Sequence, residues 1–467
     1  MALQDKRLSC FLFLLCIVIG GCSHKDLMQS FTESYYQGDL PKAYKIAKDK
    51  SQSKDALLWS MQAGIVGLQL NEKDSFELLD KSEQLFSQYE AQGLFSGLFA
   101  DTAAILVNEN AKTYRGNMYE GVLLNYYKAL LSMQKGNLAL ARVEFNRAND
   151  RQRRAKDYFS KDIQKAMQAQ QQENAKDSNF NQIDYSSTNQ GLDSYLQQNY
   201  TNIDKFKAYR NFLNPAVSYA SGLFFMLESD NAKALDLYKQ AYGMSNAQII
   251  NQDIAILQER QNRIFKPHTW LIIEEGQSPI KEEIALNFPA YLLNDRILHI
   301  GLALPFLKDA KSFYTNLHVT KDSQHISETS LIADFEGVIA NEFNQQLPFI
   351  HARAVSSAII KAIIQSNLSD QLDVYGALIG LLYSSATTNA DVRTTSVLPY
   401  KVYVAQLENT QGIYELKNSK QTLLSFEISQ ECEKQGLVLC EKNDNIVYLR
   451  LRQGSFSAQI LYTKQNK

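Results

Sequence analysis

The chain has 467 residues, of which 45% are apolar and 11% aromatic, and its 48 basic side chains nearly balance its 50 acidic ones. A chain of this length and apolar content buries large cores, and the length is typical of two or three domains. The formal net charge of −2 excludes an overall field that would attract nucleic acid or anionic lipid, so a charged partner has to bind at a local patch.

The first segment has the three-part layout of a secretory signal. A basic pair, Lys6-Arg7, precedes an apolar run at residues 8–19, and two glycines precede Cys22. Because the apolar run is shorter than the about 20 residues that span a bilayer, we predict a cleaved signal peptide at residues 1–21 and no transmembrane helix here.

The residues Ile19-Gly20-Gly21-Cys22 resemble the bacterial lipobox. The resemblance implies cleavage before Cys22 and acylation of its sulfur and of the new terminus. Two or three acyl chains hold a soluble body stably on a membrane. A chance cysteine after an ordinary signal peptide is the alternative. Ser23 stands where some Gram-negative lipoproteins have the aspartate that retains them in the inner membrane, which favours the outer membrane.

Residues 22–265 are predicted to be helical, and three segments in this range share a turn residue about five positions before an alanine. The segments are GDLPKAYKIA, GNLALARVEFNRA and SDNAKALDLYKQA, with Ala43, Ala141 and Ala234. The alanines recur at spacings near multiples of ~34 residues, and each segment resembles the second helix of a tetratricopeptide repeat (TPR). We therefore predict a TPR-like helical repeat domain, with an irregular helical bundle as the alternative.

Glutamine and asparagine dominate residues 164–202, where apolar residues become rare. Such a segment buries too little surface to offset its chain entropy. We predict a loop at about 164–202, with continuation of the preceding helix as the alternative for its first residues.

Residues 266–467 alternate β-rich runs with turn signals, from TWLIIEE to SAQILYT. Between these runs we predict two helices over residues 330–366, the second beginning at Pro348, and a third helix at 375–390. The predicted fold class is therefore α+β: the helical domain at 22–265 is followed by a mixed α+β domain with a β-rich tail at 266–467. Cys432 and Cys440 are candidates for one disulfide in an exported chain, because Gly436 between them permits a turn.

Four stretches carry a resemblance to a known family. They are YEGVLLNYYKALLSMQKGNLALARVEFNRANDRQ, SPIKEEIALNFP, IGLALPFL and ADVRTTSVLP. In this order they resemble an uncharacterised family of bacterial lipoproteins with a repeat-like helical front half, over most of residues 30–405. The resemblance implies a Gram-negative cell envelope and no particular activity. Thr395 departs from it, because a tryptophan is expected at that position.

Two charged features are candidate binding residues. Asp391 and Arg393 lie two apart in an extended segment, so they point to one side and either form a buried structural pair or line a site for a polar ligand. The second feature is one helix face with three arginines, Arg147, Arg151 and Arg154. This face either binds phosphates or an acidic partner. Alternatively, it is exposed to solvent and neutralised by nearby acidic residues.

Motifs for catalysis have little support. The chain has no GxxxxGK[ST], GxSxG or HExxH motif, and its six histidines lack ligand spacing, so neither a metal nor a cofactor is predicted. SxxK matches begin at Ser132 and Ser278 without the companion motifs of serine acyltransferases. A glutamate cluster offers paired carboxylates for glycan cleavage, although alternation in a hairpin favours solvent-facing charge. Its members are Glu274, Glu275, Glu282 and Glu283.

Two functions from different classes follow. The favoured one is a membrane-anchored periplasmic lipoprotein that acts as a non-catalytic scaffold or adaptor for protein partners of the cell envelope, because helical repeats form concave binding surfaces. Tyr126, Tyr127 and Tyr219 are the first candidates to line that groove, with packing in the core as the alternative for each. The alternative is an envelope enzyme acting on glycan or lipid, which a pocket joining Asp391, Arg393 and several carboxylates would favour.

The lipid anchor is directly testable. We expect Cys22→Ala to abolish acylation and to leave the chain unprocessed or unanchored, because no other cysteine follows the apolar run at lipobox spacing. Metabolic labelling with a fatty-acid analogue measures this, and equal label on the variant and the parent chain would rule out the assignment.

Overall fold

The computed structural model describes residues 26–94, 112–176, 213–291, 297–359, 361, 389–431 and 436–465. The mixed class is confirmed, because helices fill the N-terminal half and sheets the C-terminal half. The helices are α1 (26–36), α2 (Leu40–Lys50), α3 (Ala56–Leu70), α4 (Ser75–Gln92), α5 (Met118–Gln134), α6 (Leu138–Lys176), α7 (Pro215–Leu227), α8 (Asn231–Ser245), α9 (Gln248–Gln261) and α10 (335–359).

The strands lie between and after the last helices. They are β1 (His268–Glu275), β2 (Lys281–Tyr291), β3 (Ile297–Leu307), β4 (His318–Lys321), β5 (Gln324–Glu328), β6 (Ser330–Asp334), β7 (Lys401–Glu408), β8 (Gly412–Lys417), β9 (Thr422–Ser429), β10 (Val438–Cys440), β11 (Asn443–Arg452) and β12 (Ser455–Gln465). The change from helix to strand falls between Gln261 and His268, where the sequence predicts it.

Outer and inner helices form two layers. The outer helices α2, α4 and α8 each bury one stripe; in α8 it consists of Ala234, Leu237, Tyr238 and Ala241, the i, i+3, i+4, i+7 spacing of a surface helix. The inner helices α3, α5 and α7 are buried on nearly every side. They are buried all round because they lie between the outer helices and a sheet: α3 and α5 contact β12, and α7 contacts β6.

The three segments with the shared alanine pattern form matching turns. Gly38, Gly136 and Ser229 all have positive φ. In each turn, the following residue donates its N–H to the carbonyl five positions back, as at Asn137 to Ser132. The predicted alanines are all fully buried. Close packing also needs the glycine at 222, because a Cβ there would lie 3.0 Å from the Tyr238 ring.

Two five-stranded sheets pack behind the helices. The first has the order β12-β11-β1-β7-β6, with β1 and β11 parallel, and the second has the order β10-β9-β8-β4-β5. Residues of β1 alternate between the two sides: Trp270 and Ile272 join the core shared with the helices, while Leu271 and Ile273 join the core between the sheets. Strand β1 is therefore buried along its whole length, and one hydrophobic core crosses the boundary between the halves.

A long hairpin, β2–β3, forms a separate two-stranded sheet.

The Gln/Asn-rich segment begins as a helix, since α6 continues to Lys176. For the first residues of this segment, continuation of the preceding helix is therefore correct and the loop is wrong. Residues 177–202 of the predicted loop lie outside the described residues.

Arg450 on β11 connects the helical half to the first sheet. Its side chain is fully buried, and its Nε donates to the Tyr35 hydroxyl on α1 at 3.1 Å. Its Nη atoms donate to backbone carbonyls of two other segments, at Glu274 and Gly276 in and after β1 and at Val397 before β7. The guanidinium also lies 5.7 Å from the centre of the Tyr35 ring. One side chain thus fixes α1, β1 and the segment before β7 relative to one another.

We expect Arg450→Met to lower the free energy of unfolding by at least ~3 kcal/mol, because each buried acceptor left without a donor costs ~1–3 kcal/mol. Arg153→Met is the matched control: the Arg153 side chain is 76% exposed and pairs with Asp150, so its loss should cost at most about 0.5 kcal/mol. Urea unfolding measures both variants, and equal losses would contradict the connecting role of Arg450.

Candidate functional site

A cavity of about 160 Å³ lies where the two halves meet. Its walls are the segment 112–117 before α5, the hairpin β2–β3, helix α10 and the segment 389–393. The candidate pair Asp391 and Arg393 lies in its wall, so the structure brings these two predicted residues to a concave site.

Small residues on one face of the hairpin leave the space open. In the β2–β3 register, Lys281 lies opposite Leu307 and Ala285 opposite Ala303, so the odd-numbered positions share one face. Gly301, Ala303 and Pro305 of this face line the cavity. The opposite face turns Leu286 and Leu304 into the core.

One face of α10 forms the facing wall. Gln346, Ile350, Arg353 and Ser357 line the cavity at spacings of four, three and four residues, and Lys361 continues this row. Phe349 and Ala354 lie between them. The wall therefore combines an apolar middle with basic side chains.

Basic side chains outnumber acidic ones in the described lining. The single acid is Asp391. The bases are Lys112, Arg115, Lys281, Arg353, Lys361 and Arg393. They come from all four walls; among them, Arg393 pairs with Asp391 and Asp55, and Arg115 donates to the Gly93 carbonyl.

Asp391 and Arg393 form the structural pair and line the cavity at the same time. Arg393 donates from Nε and Nη2 to the two carboxylate oxygens of Asp391, each at 2.8 Å. Its Nη1 donates to Asp55 at 2.7 Å and to the Lys112 carbonyl at 2.6 Å. Burial works to raise the pKa of Asp391, but the adjacent Arg393 outweighs it and holds that pKa below its usual value.

A buried hydrogen-bond network supports the floor of the cavity. Glu120 accepts from the Thr395 hydroxyl at 2.7 Å and the Tyr114 hydroxyl at 2.6 Å. It also accepts the backbone N–H of Asn117, which begins α5. Thr395, the position of the expected tryptophan, thus serves as a buried polar contact.

Glu342 on α10 caps the same helix. Its carboxylate accepts the backbone N–H groups of Met118 at 2.8 Å and Tyr119 at 2.9 Å. Gln346 donates to both Glu342 and Asn117. Burial raises the pKa of Glu342 from 4.5 to about 7, in spite of the two backbone donors.

The raised pKa of Glu342 predicts a pH dependence. Between pH 4.5 and about 7, Glu342 is protonated in the folded chain and ionised in the unfolded chain. The contribution of this carboxyl group to the free energy of unfolding is therefore fully present below pH 4.5 and is lost as the pH rises to about 7. Relative to E342Q, the free energy of unfolding of the parent chain should therefore decrease across this range. Urea unfolding at a series of pH values measures the difference, and a constant difference would contradict the assignment.

The arginine face on α6 is mostly occupied within the chain. Arg151 is buried and donates to the Gly121 carbonyl, to Ser87 and to two glutamates of α4. Arg147 is 52% exposed and pairs with Glu144 at 3.0 Å, and Arg154 approaches Glu90 at 4.0 Å. The structure therefore favours the neutralised face over a binding patch and separates these arginines from the cavity.

The tyrosines expected to line a groove are buried instead. Tyr126 and Tyr127 are buried on α5, and the Tyr127 hydroxyl donates to Glu274 at 3.1 Å. Tyr219 donates to Asp253 at 2.7 Å. The expectation of groove-facing tyrosines is wrong because the inner helices are covered on both sides. The sequence signal was that apolar and aromatic residues occur on more than one face of α5, although Glu120, Asn125 and Lys128 interrupt them.

The catalytic candidates from the sequence do not converge. Ser132 donates to the Lys128 carbonyl within its helix, and Ser278 is buried outside the cavity lining while Lys281 is part of it. Of the glutamate cluster, Glu274 and Glu275 are fully buried, so solvent-facing charge is wrong for these two. Their partners are tyrosine hydroxyls and backbone N–H groups.

The remaining candidates involve cysteines, metals and the membrane. Cys440 forms a disulfide, while Cys22 and Cys432 lie outside the described residues, so pairing with Cys432 stays a prediction. Within the described ranges, no group of three or more His, Cys, Asp or Glu side chains is placed to hold a metal ion. None of the helices there combines the length and apolar character needed to cross a membrane.

Comparison with known proteins adds no assignment. No protein-family model, curated protein or solved structure matches this chain.

Proposed function

We propose that the mature chain is a lipid-anchored adaptor on the periplasmic face of a cell-envelope membrane, with a TPR-like helical half that binds protein partners without catalysis. The anchor is the lipobox cysteine Cys22, which would confine the chain to a membrane surface. Helix α1 begins within a few residues of this cysteine, so the helical half is the part nearest to the anchor along the chain.

The one-sided packing of the helical half carries the proposal. Its inner helices are buried in the core. By contrast, α2 and α8 bury only one stripe of side chains each, and their opposite faces are exposed to solvent. Lys45 on α2 and Lys239 on α8 are exposed on those faces. A row of similar helical hairpins then offers an extended surface without requiring a reactive centre.

The composition of the cavity favours binding over glycan hydrolysis. A hydrolase of that kind requires two carboxylates flanking the scissile bond. The described lining contains one carboxylate, Asp391, and Arg393 engages both of its oxygens.

Photo-crosslinking in living cells tests the adaptor proposal. A photoreactive residue placed at Lys45 or Lys239 of the anchored chain should give a discrete adduct with a defined envelope protein. The matched control is Ile413, a 57% exposed position on β8 of the second sheet, which should give none. Adducts from Ile413 alone, or turnover of peptidoglycan or phospholipid by the purified chain, would falsify the proposal.

A further inference from the structure

Two histidines meet on the second sheet. His318 on β4 and His325 on β5 have ring centres 5.4 Å apart, and their ring planes are inclined by 26°. They lack ligand spacing in the sequence, but the hairpin formed by β4 and β5 makes them neighbours. Neither residue belongs to the described lining of the cavity or to the helical faces assigned to protein partners.

A β-bulge places both rings on the outer face of this hairpin. In the β4–β5 register, His318 lies opposite Glu328. The register shifts between Val319 and Thr320, so that Thr320 lies opposite His325. Because opposed residues share a face, as do residues two apart on one strand, the bulge brings both histidines to the same side. Val319 is fully buried in the core between the sheets, so the histidines lie on the outer side.

The hydrogen bonds of the two rings fix which nitrogens hold lone pairs. Nδ1 of His318 lies 3.2 Å from the Asn316 carbonyl, and Nε2 of His325 lies 2.8 Å from the Glu328 carboxylate. Both oxygens accept, so in the neutral rings these nitrogens carry the protons, and the lone pairs lie on Nε2 of His318 and Nδ1 of His325. Histidines that bind metals in proteins donate their second ring N–H to a carbonyl or carboxylate in the same way.

The separation of the rings fits one shared ion. An imidazole nitrogen binds Zn²⁺ at ~2.0–2.1 Å, so two imidazoles on one tetrahedral ion have ring centres about 5 Å apart. The separation of 5.4 Å is close to this value. The His325 side chain is 54% exposed, so its ring has room to turn toward an ion, and water can fill the other coordination positions.

The charges around the pair are compatible with a bound cation. The Glu328 carboxylate lies beside His325 and adds negative charge. Lys417 on β8 lies opposite His318, but its ammonium group pairs with Glu415 at 2.7 Å. The positive charge nearest to the site is therefore neutralised within its own strand.

We propose that His318 and His325 bind a late first-row divalent cation, Zn²⁺ or Cu²⁺, through two imidazole nitrogens. Imidazole suits these metals, whereas Mg²⁺ and Ca²⁺ prefer oxygen ligands. With two protein ligands, the site is smaller than the groups of three or more side chains that are absent from the described ranges. The bound ion ties the edge strand β5 to β4.

Titration of the detergent-solubilised full chain with Cu²⁺, followed by electron paramagnetic resonance, tests the site. We expect the parent chain to bind one equivalent more than the double variant H318Q/H325Q. The signal of that equivalent should show splitting by two nitrogen nuclei. Excess Zn²⁺ should displace this Cu²⁺, and Mg²⁺ should not, because Cu²⁺ and Zn²⁺ share the preference for imidazole.

Single variants connect the equivalent to each ring. His318→Gln and His325→Gln should each weaken its binding by at least ~10-fold, because loss of a ligand costs no less than loss of an outer-shell partner. Gln324→Ala is the matched control: Gln324 is exposed next to His325 on the same strand, and its loss should leave binding unchanged. Unchanged melting temperatures in metal-free buffer establish that each variant is folded.

Equal uptake of Cu²⁺ by the parent chain and the double variant would overturn the proposal. A signal without splitting from two nitrogens would overturn it too, as would displacement by Mg²⁺. None of these outcomes alters the crosslinking test of the adaptor proposal.

Discussion

The buried guanidinium of Arg450 constrains most of this structure. Its hydrogen bonds go to the Tyr35 hydroxyl and to backbone carbonyls of separate segments, rather than to a carboxylate of its own. Backbone carbonyls and hydroxyls satisfy a buried cation only when several converge on it, and an unsatisfied donor in this environment is costly. Helix α1, strand β1 and the segment around Val397 must therefore meet at one point, and this requirement places the helical layers on the first sheet.

Buried carboxylates repeat this arrangement at other contacts between layers. Glu274 on β1 accepts hydroxyls from α5 and β11. Asp253 on α9 joins Tyr219 on α7 to Trp270 on β1, with oxygen-to-donor distances of 2.7 and 2.8 Å. Burial raises the pKa of Asp253 to about 7 in spite of these donors. Such links add less net stability than apolar packing of the same volume, but they penalise any other placement of the helices on the sheet.

The cavity is a consequence of this architecture. The segment 389–400 is held by Arg450 at Val397 and by Asp55 at Arg393, so its first residues are presented to the hairpin and to α10. Small residues on the hairpin then leave a space that basic, amide and apolar residues line. The contacts of this segment thus determine where the cavity forms between the two halves.

Local pattern alone predicted a helical half followed by a strand-rich half, the change between them near residue 265 and the shared alanines, because periodicity and turn residues act over a few positions. It missed β4, β5 and β8, and it was wrong about residues 330–366, where β6 is a strand and α10 continues through Pro348. It also indicated that Asp391 and Arg393 share one side of their segment. Local pattern failed for Tyr126, Tyr127, Tyr219 and Arg151, which look available in the sequence but are covered by a second layer. The partners of Arg450, the capping of α5 by Glu342 and the convergence of basic residues join positions up to hundreds of residues apart. Only the packing of the layers decides such contacts, because burial and charge pairing depend on which surfaces meet.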